Sequence, residues 1–306
     1  VLDLFDCHRN TFCRNEPNEL SGGALTALGD GFFAAPASES FAADWQHAVS
    51  AAIRACGDRD RFDTQKDYFR SALRARLGQA VMSRGRLRAL ILPRHDGAVA
   101  EEWPCPASVY DLNALSQALP VLKILLSPGW ILLAHAAFET QKVVHVIRKP
   151  QGFIQSWWGR YVTEISGNPE QVYADNQPSL RRILPHFVQP DPGPLPYSLH
   201  RLVVSELWRW RYMNEILLDQ LSADARYLCM SYDTVMKDRL AQAEQLYDFA
   251  GLGMTSETRA TIQAMQNTLF RPRKADGLDT ALVANAIEEV LAGSPHRDRL
   301  GCPAST

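Results

Sequence analysis

The apolar positions of the chain fall into a few distinct runs. Val121-Leu122-Lys123-Ile124-Leu125-Leu126 is short and nearly continuous, bounded by Pro120 and by Ser127-Pro128-Gly129, and its length predicts a strand. Trp130–Glu139 then has the length of a helix, and Lys142-Val143-Val144-His145-Val146-Ile147-Arg148 is a β-branched run ending on a charge beside Pro150. The order predicts a β-α-β unit. Near-continuous Val and Ile, in place of strict alternation, predict a strand covered on both faces, as in a parallel sheet. After Pro150, a residue favoured in the first turn of a helix, Phe153, Ile154, Trp157, Trp158, Tyr161 and Ile165 recur at helical spacing and make one broad apolar face. Leu199–Leu221 predicts a long helix, Ala225–Tyr232 another strand, and 240–250 a helix closed by Gly251.

Elsewhere the pattern is more polar. Leu2, Leu4 and Phe5 predict a short helix that ends near Asp6-Cys7-His8 and leads into the polar stretch Arg14–Glu19. Residues 21–106 read as mostly helical, with Ala-rich segments at Phe41–Ala55 and Phe69–Val81 and turns at Gly57-Asp58 and Asp96-Gly97; Arg86–Leu92 has a strand pattern. Gly167–Ser198, rich in Pro, Asn, Asp and Gln, reads as a loop or lid. The expected fold class is α/β: a three-layer parallel sheet flanked by helices, in a single domain over 1–306 with 21–106 as a mainly helical insertion.

Composition narrows the classes of partner. The 306 residues are 46% hydrophobic and 22% charged, which suits a folded globular chain and excludes a disordered or collagenous one. A net charge of −2, from 32 basic and 34 acidic side chains, argues against nucleic acid or an anionic membrane as a general partner. Any anion site must be local. Cys7, Cys13, Cys56, Cys105, Cys229 and Cys302 form no CxxC pair and have no zinc-site spacing. Thiols of this kind imply neither a disulfide framework nor a metal centre and point to the cytoplasm. Lys123, the Ser127-Pro128-Gly129 break and His135 interrupt the longest apolar run, Val121–Phe138, so no membrane span is expected. The chain opens on Val1, without a basic and then apolar leader, and this points to sequence upstream of it.

In a parallel sheet flanked by helices, ligands sit beyond the carboxyl ends of the strands, where the next helix begins. Arg148 is predicted to stand there. A helix start offers backbone N–H groups without intrahelical partners and the positive end of the macrodipole, so Arg148 and the start of the helix at Gln151 could hold a phosphate. Ser156 would add a hydroxyl donor. On these residues alone, an Arg that caps the sheet edge or pairs with an acid stays open.

Arg148-Lys149-Pro150-Gln151-Gly152-Phe153-Ile154-Gln155-Ser156, preceded by an apolar strand, resembles the 3′-phosphate-binding segment of sulfotransferases that use 3′-phosphoadenosine 5′-phosphosulfate (PAPS). That pattern is strand, Arg-Asp-Pro, and Ser eight residues after the Arg; Lys149 departs from the usual Asp. Met230-Ser231-Tyr232-Asp233-Thr234-Val235 through Tyr247-Asp248-Phe249-Ala250-Gly251-Leu252 is similar to the family's strand, Tyr-Glu-Asp-Leu turn, helix and Phe-Leu-Gly-Leu ending, with Asp233 for the usual Glu. Arg299-Leu300-Gly301-Cys302 resembles the Leu-Gly-Tyr ending of many bacterial members. The resemblance runs from about Ala118 to Cys302. Before that, the first helix, His8 and Glu16-Pro17 match the family's opening, whereas its phosphate loop, of the type Arg/Lys-Ser-Gly-Thr-Thr, is not in the chain. The expectation is a sequence that starts downstream of its natural N-terminus, or a degenerate member.

The resemblance implies a P-loop NTPase-like fold and transfer of a sulfuryl group from PAPS to a hydroxyl or amine of a small-molecule or carbohydrate acceptor. Such a transfer needs an in-line acceptor, charge stabilisation at the donor and a base for the acceptor proton. Glu16 is the candidate base, with Glu19 and His8 as lesser ones; a Glu that caps a following helix is the alternative. Arg148 and Ser156 would hold the 3′-phosphate. Lys123, at a strand end, and Arg273 and Lys274, in the basic segment Arg271-Pro272-Arg273-Lys274 ahead of Gly277, are further nucleotide-binding candidates. No metal is implied. His145, among valines, reads as a core histidine. Two other readings remain at this point: a P-loop small-molecule kinase, which a Walker lysine would favour, and a non-catalytic nucleotide-binding protein of the same fold.

Overall fold

A computed structural model describes residues 1–8, 10–15, 28, 31–33, 40–47, 119–187, 196–266 and 277–301. These residues are mostly helical and carry two pairs of parallel strands, an α/β composition. They divide into two compact units, one spanning 1–141 with 238–267 and the other 142–237 with 268–306.

In the first unit, helix α1 (Leu2–Asp6) leads into strand β1 (Thr11–Asn15), followed by α2 (41–47), strand β2 (Leu119–Lys123) and helix α3 (Pro128–Ala137). β1 and β2 pair in parallel, from Thr11 opposite Leu119 to Asn15 opposite Lys123. The strand 121–126 of the sequence reading is thus displaced: β2 ends at Lys123, and Leu126 takes a left-handed φ of 55°, which no residue of a regular strand adopts. β1 falls where the sequence predicted entry into a loop. Its Thr-Phe-Cys start suits a pleated surface, but five residues flanked by polar neighbours carry little periodicity. The unit's later helices are, counted in chain order over the whole molecule, α8 (Arg239–Ala250) and α9 (Ser256–Gln266). Tyr247 of α8 donates its hydroxyl to Leu4 O at 2.5 Å, and Leu4 and Phe5 are buried. Gly251 closes α8 in the left-handed region, at φ 76°, where a side chain is disfavoured. Phe41, Trp45, Trp130 and Ala134 form a second apolar cluster.

The second unit holds strands β3 (Val143–Ile147) and β4 (Tyr227–Ser231), paired in parallel from Val143 opposite Tyr227 to Ile147 opposite Ser231. The order strand β2, helix α3, strand β3 is the predicted one; among the described residues β3 pairs with β4, and β2 with β1. Helix α4 (Pro150–Trp157) follows β3 and widens into a π-helical segment, Trp158–Ser166. The predicted single helix thus changes its period at Trp158, where Trp157, Trp158 and Gly159 are buried in succession.

The expected loop Gly167–Ser198 is largely helical in its described part. Helix α5 spans Pro169–Ile183, capped by Asn168, whose side chain accepts from Gln171 N at 3.2 Å. Asn-Pro is a helix-start signal as well as a turn signal, and Tyr173, Asn176, Leu180 and Ile183 repeat at helical spacing on the buried face. Helix α6 (Leu199–Leu221) has the predicted bounds and is followed by β4, α7 (Tyr232–Lys237) and, late in the chain, α10 (Thr280–Leu291). The core gathers Ile147, Ile154, Trp158, Leu207, Trp210 and Val290 from these elements. Burying such side chains gains about 1.5–3 kcal/mol each. Arg211 of α6 donates to Val290 O at 2.6 Å and pairs with Glu215 at 3.0 Å, and Ser294 donates to Glu215. The C-terminal segment is thereby tied to α6.

Candidate functional site

The site begins at the carboxyl end of β3. Lys149 is the N-cap of α4 in an extended conformation and makes no side-chain cap, Pro150 takes the first helical position, and Phe153 N makes an intrahelical bond to Lys149 O at 2.9 Å. By helix geometry the N–H groups of Gln151 and Gly152 lack intrahelical partners. Gln151 is exposed and Gly152 half-buried, so this end of α4 is open to solvent.

Arg148 does not extend away from the sheet. Its side chain turns back across the first turn of α4, where a Cβ on Gly152 would stand 3.2 Å from Arg148 Nε. Its guanidinium lies 5.1 Å from the ring centroid of Tyr232, the first residue after β4. This is a cation–π distance. Stacking by one face leaves the N–H edge of the guanidinium available to an anion. Among the described residues Arg148 has no carboxylate partner. Ser156 lies four residues after Gly152, so both stand on the same face of α4, the face over which Arg148 folds. Ser156 is half-buried.

Lys149 reaches the other way. Its Nζ is 4.0 Å from Asp233 Oδ2, and its stem passes so close to Gly301 that a Cβ there would stand 2.9 Å from Lys149 Cγ. Lys149, Pro150, Gln151, Asn285, Glu288 and Gly301 border a shallow depression of about 280 Å³.

Lys123 is the last residue of β2, half-buried, in the first unit. Glu16, Glu19, Arg273 and Lys274 lie outside the described residues. His8, the lesser base candidate, is buried and uses both ring nitrogens. Nδ1 accepts from Asn10 N at 3.2 Å, and Nε2–H donates to Gly253 O at 3.0 Å. It has no lone pair left for an acceptor's proton.

His145 is likewise fully engaged. Asn214 Nδ2 donates to Trp210 O at 2.6 Å, which orients Asn214 Oδ1 to accept from His145 Nε2–H at 2.9 Å. Nδ1 therefore accepts the hydroxyl proton of Tyr227 at 2.6 Å. Burial holds the imidazole down at a pKa of about 4, against the opposing hydrogen bond to Asn214. Burial also pushes the Tyr227 phenol and the Cys229 thiol up, so neither is an anion at neutral pH. A depression of about 370 Å³ is bordered by Ser222, Tyr227, Cys229, Ser231 and Arg299.

Among the described residues no group of three His, Cys, Asp or Glu side chains is placed to hold a metal ion. Among the described residues no helix is long and apolar enough to cross a membrane, and Cys7, Cys13 and Cys229 are in no disulfide. Sequence reasoning overlooked Gly152 and Tyr232. The signal for Tyr232 was its position directly after a strand parallel to β3; for Gly152 it was a glycine in the first turn of a helix, where only a close approach calls for one. Compared with protein-family models, with curated proteins and with solved structures, the chain matches none of them.

Proposed function

We propose that the protein is a sulfotransferase, binding PAPS on a three-layer, P-loop NTPase-like sheet and passing the sulfuryl group to a hydroxyl or amine of a small-molecule or carbohydrate acceptor. One observation carries the reading: Arg148, without an acidic partner among the described residues, folds over the face of α4 that carries Ser156, beside an open helix start. A phosphoryl group suits this arrangement. The guanidinium offers two parallel donors, the Gln151 and Gly152 N–H groups and the helix dipole favour negative charge, and the missing Cβ of Gly152 leaves room for Arg148 to lie close.

In this reading Arg148 and Ser156 hold the 3′-phosphate and orient the nucleotide, and the bound nucleotide supplies the sulfuryl group on its 5′-phosphate. Glu16 takes the proton of the acceptor hydroxyl. Lys123, Arg273 and Lys274 are the cations in reserve for the remaining phosphate charge, and the helical insertion 21–106 shapes the acceptor pocket. The test is titration calorimetry of the purified protein with adenosine 3′,5′-bisphosphate. Binding that Arg148→Ala weakens about 10- to 100-fold is the expected result; no binding, or binding that Arg148→Ala leaves unchanged, overturns the proposal.

A further inference from the structure

Tyr227, Cys229 and Ser231 alternate along β4, so their side chains share one face of the strand. With Ser222 and Arg299 they border the depression of about 370 Å³, within the range of small-molecule pockets, which begins at about 300 Å³. Hydrogen bonds run inward from this wall. Asn214 Oδ1 takes the Nε2 proton of His145, so His145 Nδ1 accepts from the Tyr227 hydroxyl, and Tyr227 Oη in turn accepts from the Cys229 thiol. Phenol and thiol are thus neutral and spend their protons within the protein.

Arg299 stands against this neutral wall. Burial pushes the Tyr227 phenol and the Cys229 thiol up, and the Arg299 charge opposes that push on both, so the guanidinium itself faces the two side chains. Arg299 is exposed and has no carboxylate partner among the described residues. The acids nearest in sequence to β4, Asp224 and Asp233, are paired with Arg226 at 2.9 Å and with Lys149 at 4.0 Å. We infer that the depression binds the carboxylate of a small organic acid, held by Arg299 with the exposed hydroxyls of Ser222 and Ser231 as further donors. A guanidinium meets a carboxylate with two parallel N–H donors. One cation matches one negative charge, and Ser222 caps the carboxyl end of α6, where the macrodipole is negative, so a second charge on the ligand is disfavoured. None of these residues belongs to the Arg148 site, and the inference is independent of the nucleotide-binding reading.

The experiment measures, by calorimetry, the affinity for benzoate, for its neutral isostere benzamide and for the dianion phenyl phosphate, with the protein, Arg299→Gln and Arg148→Ala, each checked for an unchanged melting curve. Benzoate is expected to bind the protein and Arg148→Ala alike, and Arg299→Gln about tenfold more weakly, the effect of losing a charged donor. Benzamide is expected to bind the protein about tenfold more weakly than benzoate does. Saturating benzoate should also slow the alkylation of Cys229 by iodoacetamide, read by mass spectrometry, in the protein but not in Arg299→Gln. No benzoate binding, equal binding to Arg299→Gln, equal binding of benzamide, or alkylation of Cys229 indifferent to benzoate overturns the inference. Phenyl phosphate binding to Arg148→Ala more tightly than benzoate does overturns the carboxylate and assigns the depression to phosphate esters. Benzoate binding lost in Arg148→Ala and kept in Arg299→Gln overturns it too, since the anion then sits at the start of α4.

Discussion

Two helices of this protein start alike in sequence and differ in what their starts can do. α3 and α4 each follow a parallel strand that ends on or beside a cation, Lys123 for β2 and Arg148 for β3, and each opens on a proline. At α3 four residues intervene, and Ser127, Pro128, Gly129 and Trp130 are all buried. The amide that would face a ligand is taken by the protein itself, Trp130 N donating to Gly31 O at 3.3 Å. At α4 a single residue, Lys149, intervenes between Arg148 and Pro150; Gln151 is exposed and Gly152 half-buried. A strand, a cation and a proline do not make an anion site. Such a site also needs first-turn amides open to solvent, since their partial charge serves an anion only where no carbonyl already uses it.

The largest expected effect concerns the strand beneath α4. The unfolded chain protonates His145 as pH falls through about 6.5, whereas the folded imidazole stays neutral until about 4. The unfolded state thus binds more protons in this window, and stability falls from pH 6.5 to 4 by about 3 kcal/mol from this group. Denaturant unfolding at pH 7 and pH 4.5 measures the loss, and His145→Gln should flatten it. An equal loss in the variant would remove His145 from the support of the site.

Next is the comparison itself. Arg148→Ala should weaken binding of adenosine 3′,5′-bisphosphate about 10- to 100-fold, the range of a charge-assisted hydrogen bond. Lys123→Ala, at the closed helix start, should cost less than that. A larger loss for Lys123 than for Arg148 would invert the comparison. Ser156→Ala removes one hydroxyl donor and should cost about two- to tenfold, readable in the same titration.

The smallest effect is the most diagnostic. Gly152→Ala places a Cβ 3.2 Å from Arg148 Nε, so the arginine must shift by a few tenths of an ångström, while alanine is the better helix former by about 1 kcal/mol. Binding should weaken about two- to fivefold without a lower melting temperature. Tighter binding would show that the close approach has no role.

Part of this molecule was legible before any coordinates. α6 has the bounds its apolar stripe predicts, β3 and β4 sit within the runs Lys142–Arg148 and Ala225–Tyr232, and Gly251 ends α8. α5 was not legible as a helix because Gln171, Asp175, Asn176, Gln177 and Pro178 give the segment a loop-like composition, which masked a buried stripe of four residues. The strand partners were not legible either: Thr11 pairs with Leu119 and Val143 with Tyr227, and pairing over such separations leaves no local pattern. Of the candidate site, Arg148 and Ser156 were found by spacing, whereas Gly152 and Tyr232 acquire a role only from where Arg148 points.

Local order alone determined that β3 and β4 are strands and α4 and α6 helices, and that a cation and a proline stand at the turn after β3, because periodicity, β-branching and helix-start chemistry act between near neighbours in the chain. Tertiary structure decided which strands pair, which of two similar helix starts stays open to solvent, and that Lys149 meets Asp233. Those outcomes depend on burial and on contacts between residues far apart in sequence, where the free energy belongs to the packed arrangement rather than to any one segment.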